Sequence, residues 1–174
     1  MSKTLNDVVN RYTWALDLSM SNTGVGIFNE YGECVFVTSI ATRTKDSTPR
    51  RLFDIYSAFT SLDNTYPCER IIIERAFSRF NNATQALFRV HGVVNCMFWD
   101  REQIYYPPKV IKQTLIGGKA TKAQIGVWVK EHYANVTPTN DDETDAIAIG
   151  ACYFIKRNGK SENDETTKTI DASG

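Results

Sequence analysis

The stretch YTWALDLSMSNTGVGIF, Tyr12 to Phe28, decides the fold. Its first strand-like run is largely apolar and carries one acid, Asp17, near its end. A polar turn follows, and Thr23-Gly24-Val25-Gly26 opens a second run. The pattern predicts a hairpin of two strands, Tyr12–Ser19 and Thr23–Glu30. A carboxylate in or beside a buried strand is costly unless something pairs with it. The expected partner is a divalent cation, shared with three later acids.

Outward from the hairpin, a third strand is expected at Glu33–Ala41 after the short turn Tyr31-Gly32, which makes an antiparallel meander. Residues 42–51 form a polar loop with Arg43, Lys45, Arg50 and Arg51. Leu52, Ile55, Tyr56 and Phe59 follow at helical spacing. The triplet Ile71–Ile73 reads as a strand covered on both faces, hence central and parallel to a neighbour. It delivers Glu74 at its C-terminal end, where ligand sites of open α/β sheets gather. A loop with Phe77, Arg79 and Phe80 leads into a helix from about Ala83 to Arg101. Ile104–Tyr106 is a short fifth strand, stopped by Pro107-Pro108. Lys109–Leu115 is helical, Gly117-Gly118 breaks it, and Ile125, Trp128, Val129, His132 and Tyr133 form the apolar stripe of the next helix. Asn140 with Glu143 resembles an N-cap box opening a last helix, whose buried side includes Ala148, Ala151, Cys152 and Ile155. The expected organisation is a leader at 1–11, one domain at 12–157 and a polar, disordered tail at 158–174. The order β β β α β α β α α α predicts a mixed five-stranded sheet with helices on both faces, the ribonuclease H-like layout.

The 174 residues are enough for one domain with a real core. The longest uncharged apolar run, Ala146 to Ile155, is too short to span a bilayer, and Met1 to Asn10 lacks the apolar region of a signal peptide. Cys34, Cys68, Cys96 and Cys152 are scattered without metal-binding spacing, which reads as reduced, mostly buried thiols in a cytoplasmic protein. The net charge of zero hides an asymmetry. Setting aside Asp17, Glu74, Asp141, Asp142, Glu143 and Asp145 (minus six) and the tail from Lys160 (minus two) leaves plus eight. A surface of that sign suits a phosphate-rich partner.

Asp142 and Asp145 stand three apart at a helix start, so they share a face. With Asp17 and Glu74 on central strands, all four would converge at one end of the sheet. Clustered carboxylates repel unless cations intervene. Oxygen ligands with no required Cys or His suit Mg²⁺, with Mn²⁺ as substitute. Two such ions would activate water and stabilise the leaving oxygen in phosphodiester hydrolysis. Each acid alone has a blander reading: Asp17 as a turn former, Glu74 as a partner of Arg70 or Arg75, and the Asp141–Asp145 run as a complement to the helix dipole, as Glu143 is read. The combination, each on the right kind of element and in order, favours the site.

These residues carry a resemblance. LDLSMSNTGVGIF, IIIERAF, YYPPKVIKQTLIGGKATKAQI and DDETDAIAIG, in this order, resemble the motifs of RuvC-type Holliday junction resolvases from about Trp14 to Tyr153. The resemblance implies that Asp17, Glu74, Asp142 and Asp145 are catalytic, metal-binding carboxylates. It implies that Phe77 stacks near the junction centre and that Lys112 and Lys122 contact backbone near the scissile phosphate. Arg79 and Lys119 join the expected DNA-binding set. The substrate would be four-way or other branched DNA, cut to 5′-phosphate and 3′-hydroxyl ends by a two-fold homodimer. Val93, Met97 and Phe98, left over from the core face of the long helix, are the candidate interface. Leu18-Ser19 stands where the family has Pro-Gly, and such departures resemble phage or viral members, for which the compartment is the host cytoplasm.

Rival readings remain at this level. An actin-like ATPase or sugar kinase needs a second phosphate loop and a longer chain. Gly118-Lys119 lacks the spacing of a nucleotide-binding P-loop. A catalytically dead junction-binding protein would not need all four acids. A nuclease of this fold acting on RNA is the remaining substrate alternative. His91 and His132 read as structural.

Overall fold

The computed structural model describes residues 11–75 and 82–170, with the backbone alone at 82–83 and 160–170. The elements are β1 (Tyr12–Asp17), β2 (Asn22–Phe28), β3 (Cys34–Ala41), α1 (Thr48–Thr65), β4 (Cys68–Glu74), α2 (Asn82–Met97), β5 (Glu102–Tyr106), α3 (Pro108–Leu115), α4 (Lys122–His132) and α5 (Asp141–Ile170). The sheet order is β3-β2-β1-β4-β5. β1, β2 and β3 pair antiparallel, while β1, β4 and β5 pair parallel. This is the mixed five-stranded sheet that the sequence predicts. The meander turns at Gly32, whose φ of 89° favours glycine. Asn29 Oδ1 accepts from the backbone of Tyr31 and Glu33 at 3.0 Å each and closes the same turn.

Strand alternation sorts side chains between two cores. Trp14, Leu16, Ile71 and Ile73 face one cluster with Ile55 and Phe59 of α1 and Val90 and Val94 of α2. Ala15 and Ile72 face the other, with α3, α4 and α5. The Ile71–Ile73 triplet is fully buried, as a strand covered on both faces must be. The buried Trp14 indole N–H donates to the Tyr66 carbonyl at 3.0 Å, so its one polar group is satisfied.

α5 lies on β2 in a matched register. A Cβ on Gly24 would meet the Asp142 carbonyl, one on Gly26 would come within 3.5 Å of Ala146 backbone, and one on Gly150 would strike the Phe28 ring. Helix positions 142, 146 and 150 thus lie over strand positions 24, 26 and 28. Four helical residues rise about 6 Å and two strand residues about 6.7 Å, so the two ladders stay in step.

Several expectations change. Phe98 is not surplus to the core: it is buried against Trp14 and Phe59, with ring centroids 5.6 and 6.1 Å away. Ile155 is 41% exposed rather than buried, because α5 has passed the end of the sheet there. His132 is exposed and stacks flat on Trp128 at 4.0 Å instead of lying in the apolar stripe. The backbone of α5 runs to Ile170, and its core packing ends at Phe154, since residues 155–159 are exposed. All four cysteines are free; Cys34, Cys68 and Cys152 are buried and Cys96 is exposed. Among the described residues no helix is long and apolar enough to cross a membrane.

Candidate active site

Period-two geometry decides where the strand acids point. Asp17 follows Ala15 by two residues and Glu74 follows Ile72 by two, so both face the α5 side. Each is the last residue of its strand, and β1 and β4 run parallel, so both acids stand at the same end of the sheet. Asp17 is paired with Gly24. The missing side chain there lets the first turn of α5 close onto the sheet, bringing Asp142 and Asp145 to the strand acids.

The turn after Asp17 is pinned by hydroxyls. Ser19 Oγ donates to the Asn22 carbonyl at 2.8 Å and accepts from its N–H at 2.9 Å. Thr23 Oγ1 donates to the Ser19 carbonyl at 2.7 Å and accepts from the Ser19 N–H at 3.2 Å. Asn22 then presents its Nδ2 to Asp142 Oδ2 at 2.6 Å. Across the site, Glu143 is buried and structural. Its carboxylate accepts from the Thr139 N–H at 2.6 Å and from Thr139 Oγ1, and its own N–H donates to Asn140 Oδ1 at 3.0 Å. The helix start that carries Asp142 and Asp145 is therefore fixed on both sides.

The acids feel one another. Burial first, then the charges of Asp145, Glu74 and Asp142, push Asp17 up to about 7, against a smaller opposing pull from Lys122. Glu74 is raised by burial and by Asp145, with Lys112 and Lys122 opposing. Asp145 is raised by burial, opposed by its hydrogen bond to Lys122. Lys122 Nζ stands 2.9 Å from Asp145 and 3.4 Å from Asp141, and the bond to Asp145 raises the lysine's own pKa. A capping box between Thr121 and Gln124 sets the start of α4 and so holds Lys122 at its first position.

Glu74, Lys112, Lys122 and Asp145 line a cleft of about 260 Å³ floored by Ile111, Ile125 and Ala148. Lys119 is exposed on the turn between α3 and α4, outside that lining. Phe77 and Arg79 lie outside the described residues. Among the described residues no three Asp, Glu, His or Cys side chains are drawn together in ligating geometry. The acids share the Lys122 ammonium instead, which marks a place where positive charge is favoured. Four carboxylates with no thiol or imidazole among them are hard donors, the set that suits Mg²⁺ or Mn²⁺.

Two contributors escaped the sequence reading. Asn22 lies on the face shared by Gly24 and Gly26, a period-two signal that could have placed it beside the acids. Asp141, whose carboxylate reaches Lys122, stands in the acidic run without a distinguishing pattern.

The family model described as "Crossover junction endodeoxyribonuclease RuvC" matches residues 15–153. A protein of that name from Alkaliphilus metalliredigens is 30% identical over 148 residues, covering 79% of this chain and 89% of the relative. One from Francisella philomiragia is 32% identical over 138 residues, covering 76% and 81%. In structure the chain is similar to Thermus thermophilus RuvC in complex with a Holliday junction substrate. The TM-score is 0.73 at 17% identity, covering 85% of this chain and 96% of that one. It is also similar to the yeast mitochondrial Holliday junction resolvase, with a TM-score of 0.64 at 13% identity, covering 95% and 90%. At these identities the structural likeness establishes the fold.

Proposed function

Because the chain belongs to the RuvC family of crossover junction endodeoxyribonucleases, we propose that it resolves Holliday junctions. It hydrolyses phosphodiesters in four-way and other branched DNA and leaves 5′-phosphate and 3′-hydroxyl ends. The observation that carries the reading is Asp17, pushed up to about 7 by burial and by Asp145, Glu74 and Asp142 at one end of the sheet. Such a cluster stores unfavourable charge that a divalent cation relieves.

Asp17, Glu74, Asp142 and Asp145 would hold two Mg²⁺ ions, or Mn²⁺ in their place. Bound there, the ions supply Lewis-acid activation of water and neutralise charge on the phosphate. The side chains do the rest. Asn22 holds Asp142 in one orientation through its 2.6 Å bond. Lys112 and Lys122, in the cleft beside Glu74 and Asp145, attract the phosphate backbone and balance the carboxylates. Lys119 contacts DNA at the rim, and Phe77 with Arg79 engages the junction itself.

Two copies acting together would place one such site on each of two strands. The outer face of α2 is the interface in this reading. Val93, Cys96, Met97 and Trp99 form a groove with Phe53 and Tyr56 of α1, and Trp99 is 81% exposed. The protein acts in the cytoplasm, the host's if the chain is phage-encoded.

The test is a labelled four-way junction incubated with Mg²⁺ or with chelator. Nicking that requires metal and disappears in Asp17→Asn supports the enzyme. Tight binding without nicking would make the chain a junction-binding protein instead. Sedimentation at micromolar concentration should show a dimer, and a monomer even with junction present would remove the paired-site model.

A further inference from the structure

The segment 42–51 (TRTKDSTPRR), which is the loop between β3 and α1 together with the first turn of α1, carries Arg43, Lys45, Arg50 and Arg51 against one acid, Asp46, a net charge of plus three. The site described above makes no use of it. Strand pairing fixes its position. Ala41, the last residue of β3, is opposite Asn22, the first of β2, while Asp17 at the end of β1 is opposite Gly24. The loop therefore leaves the sheet at the end that bears the carboxylates. With neighbouring strands about 4.8 Å apart, it lies about 10 Å to the side of Asp17. On the other flank, the segment Lys109–Lys122 carries four lysines and no acid, and two of these lysines line the cleft with Glu74 and Asp145. The acids sit between two basic margins.

The loop is also tied to the turn that follows Asp17. The Thr42 N–H donates to the Ser21 carbonyl at 3.0 Å, and Thr42 Oγ1 donates to the Met20 carbonyl at 2.5 Å. Arg51 donates from Nε to Thr42 Oγ1 at 2.8 Å and from Nη2 to the Met20 carbonyl at 3.0 Å. Arg51 is thus occupied in holding the loop, and Arg50 pairs with Asp54 at 2.9 Å. Arg43 and Lys45 remain on the outer surface. The Arg43 side chain is 69% exposed, with its Nε 2.8 Å from Asp46. Lys45 is exposed and makes no ion pair among the described residues.

We infer that Arg43 and Lys45 bind backbone phosphates of the DNA on the β3 side of the catalytic centre, so that a branched substrate is gripped on both flanks of the position to be cut. The inference rests on the nuclease reading and extends its contact surface. About 10 Å corresponds to the axial rise of roughly three nucleotides of one strand, so the phosphates held here lie a few residues from the scissile one. Because Arg51 and Thr42 clamp the loop to Met20 and Ser21, those phosphates are held in register with Asp17. Contacts of this kind position the duplex without reading its sequence.

The test is the affinity of the full chain for a four-way junction, measured in chelator across a salt series. The double variant Arg43→Ala/Lys45→Ala should bind about tenfold more weakly at low salt, and the slope of log K against log salt should fall by about 1 to 2. Its cleavage rate at saturating junction with Mg²⁺ should match the wild type. Lys130→Ala, on the exposed face of α4, should bind normally. An unchanged affinity and slope in the double variant would overturn the inference while leaving the nuclease reading intact. Lost cleavage at saturating junction with unchanged affinity would also overturn it, by placing these residues in the chemistry. Failure of the wild type to bind four-way DNA would overturn both.

Discussion

Replacing Gly24 with alanine should disable the site without unfolding the protein. A Cβ at that position would lie 2.0 Å from the Asp142 carbonyl oxygen and 2.5 Å from its carbonyl carbon. Backbone atoms cannot swing aside as a side-chain tip can. Non-bonded heavy atoms settle near 3.5 Å, so the helix start must retreat by about 1 to 1.5 Å. That retreat carries Asp142 directly and Asp145 one turn later, while Asp17 and Glu74 stay on their strands. Overpacking of this size costs about 1–3 kcal/mol of stability. A misplacement of about 1 Å at reacting groups costs on the order of a hundredfold in rate. The assay is single-turnover nicking of a labelled four-way junction at saturating Mg²⁺, with a thermal melt to show that the variant folds. Gly26→Ala is the internal control. Its Cβ meets the Phe28 ring edge at 3.1 Å and Ala146 backbone at 3.5 Å, contacts that small adjustments relieve, so cleavage should stay near wild type. A folded Gly24→Ala protein that cleaves as fast as wild type would refute the claim that this close approach positions the α5 acids.

Asn22→Ala removes the 2.6 Å bond to Asp142 and should weaken Mg²⁺ activation by about tenfold, read as a shift in the Mg²⁺ dependence of cleavage, with little change in melting temperature. Asp17 titrates near 7 in the folded protein against 3.8 ordinarily, so the folded state binds the extra proton between those values. Stability in chelator should therefore fall as pH rises from about 4 to 7. Asp17→Asn should be the more stable protein at pH 8, by on the order of 2 to 4 kcal/mol in urea unfolding. By the same sign, Mg²⁺ must displace that proton, and the metal concentration needed for half-maximal cleavage should drop as pH climbs toward 7.5. Glu143→Ala leaves the Thr139 N–H, Thr139 Oγ1 and Asn140 Nδ2 without their carboxylate acceptor, and should cost about 2–3 kcal/mol in denaturant unfolding, unlike exposed Glu131→Ala.

The strands were legible because burial leaves a periodic trace. Ile71–Ile73 reads as a strand covered on both faces, and it lies between β1 and β5. The direction of Asp17 and Glu74 follows from counting by two from Ala15 and Ile72. Long-range closure was not legible. Counting by two puts Asn22 on the face of Gly24 and Gly26, but it does not single out Asp142, 120 residues away, as the partner of its amide. Glu143 looked like a helix-dipole acid, and its burial becomes visible only when Thr139 is seen to fold over it. Phe98 falls just past the end of α2 and looked surplus to the core. Yet it follows the buried Val90 and Val94 at steps of four, and its N–H still bonds the Val94 carbonyl at 3.0 Å, so helical spacing does place its ring with theirs beside Trp14. The clamp of Arg51 on Met20 depends on how the β3–α1 loop folds back, and loop conformation carries no periodicity to read.

Mn²⁺ titration of the DNA-free protein, followed by calorimetry at pH 7.5, probes the shared site most directly. It should be run on wild type and on Asp17→Asn, Glu74→Gln, Asp142→Asn and Asp145→Asn. If the four carboxylates serve one centre, every substitution weakens ion binding by at least about tenfold. Wild-type ion affinity retained in any two of the four variants would contradict a common metal site.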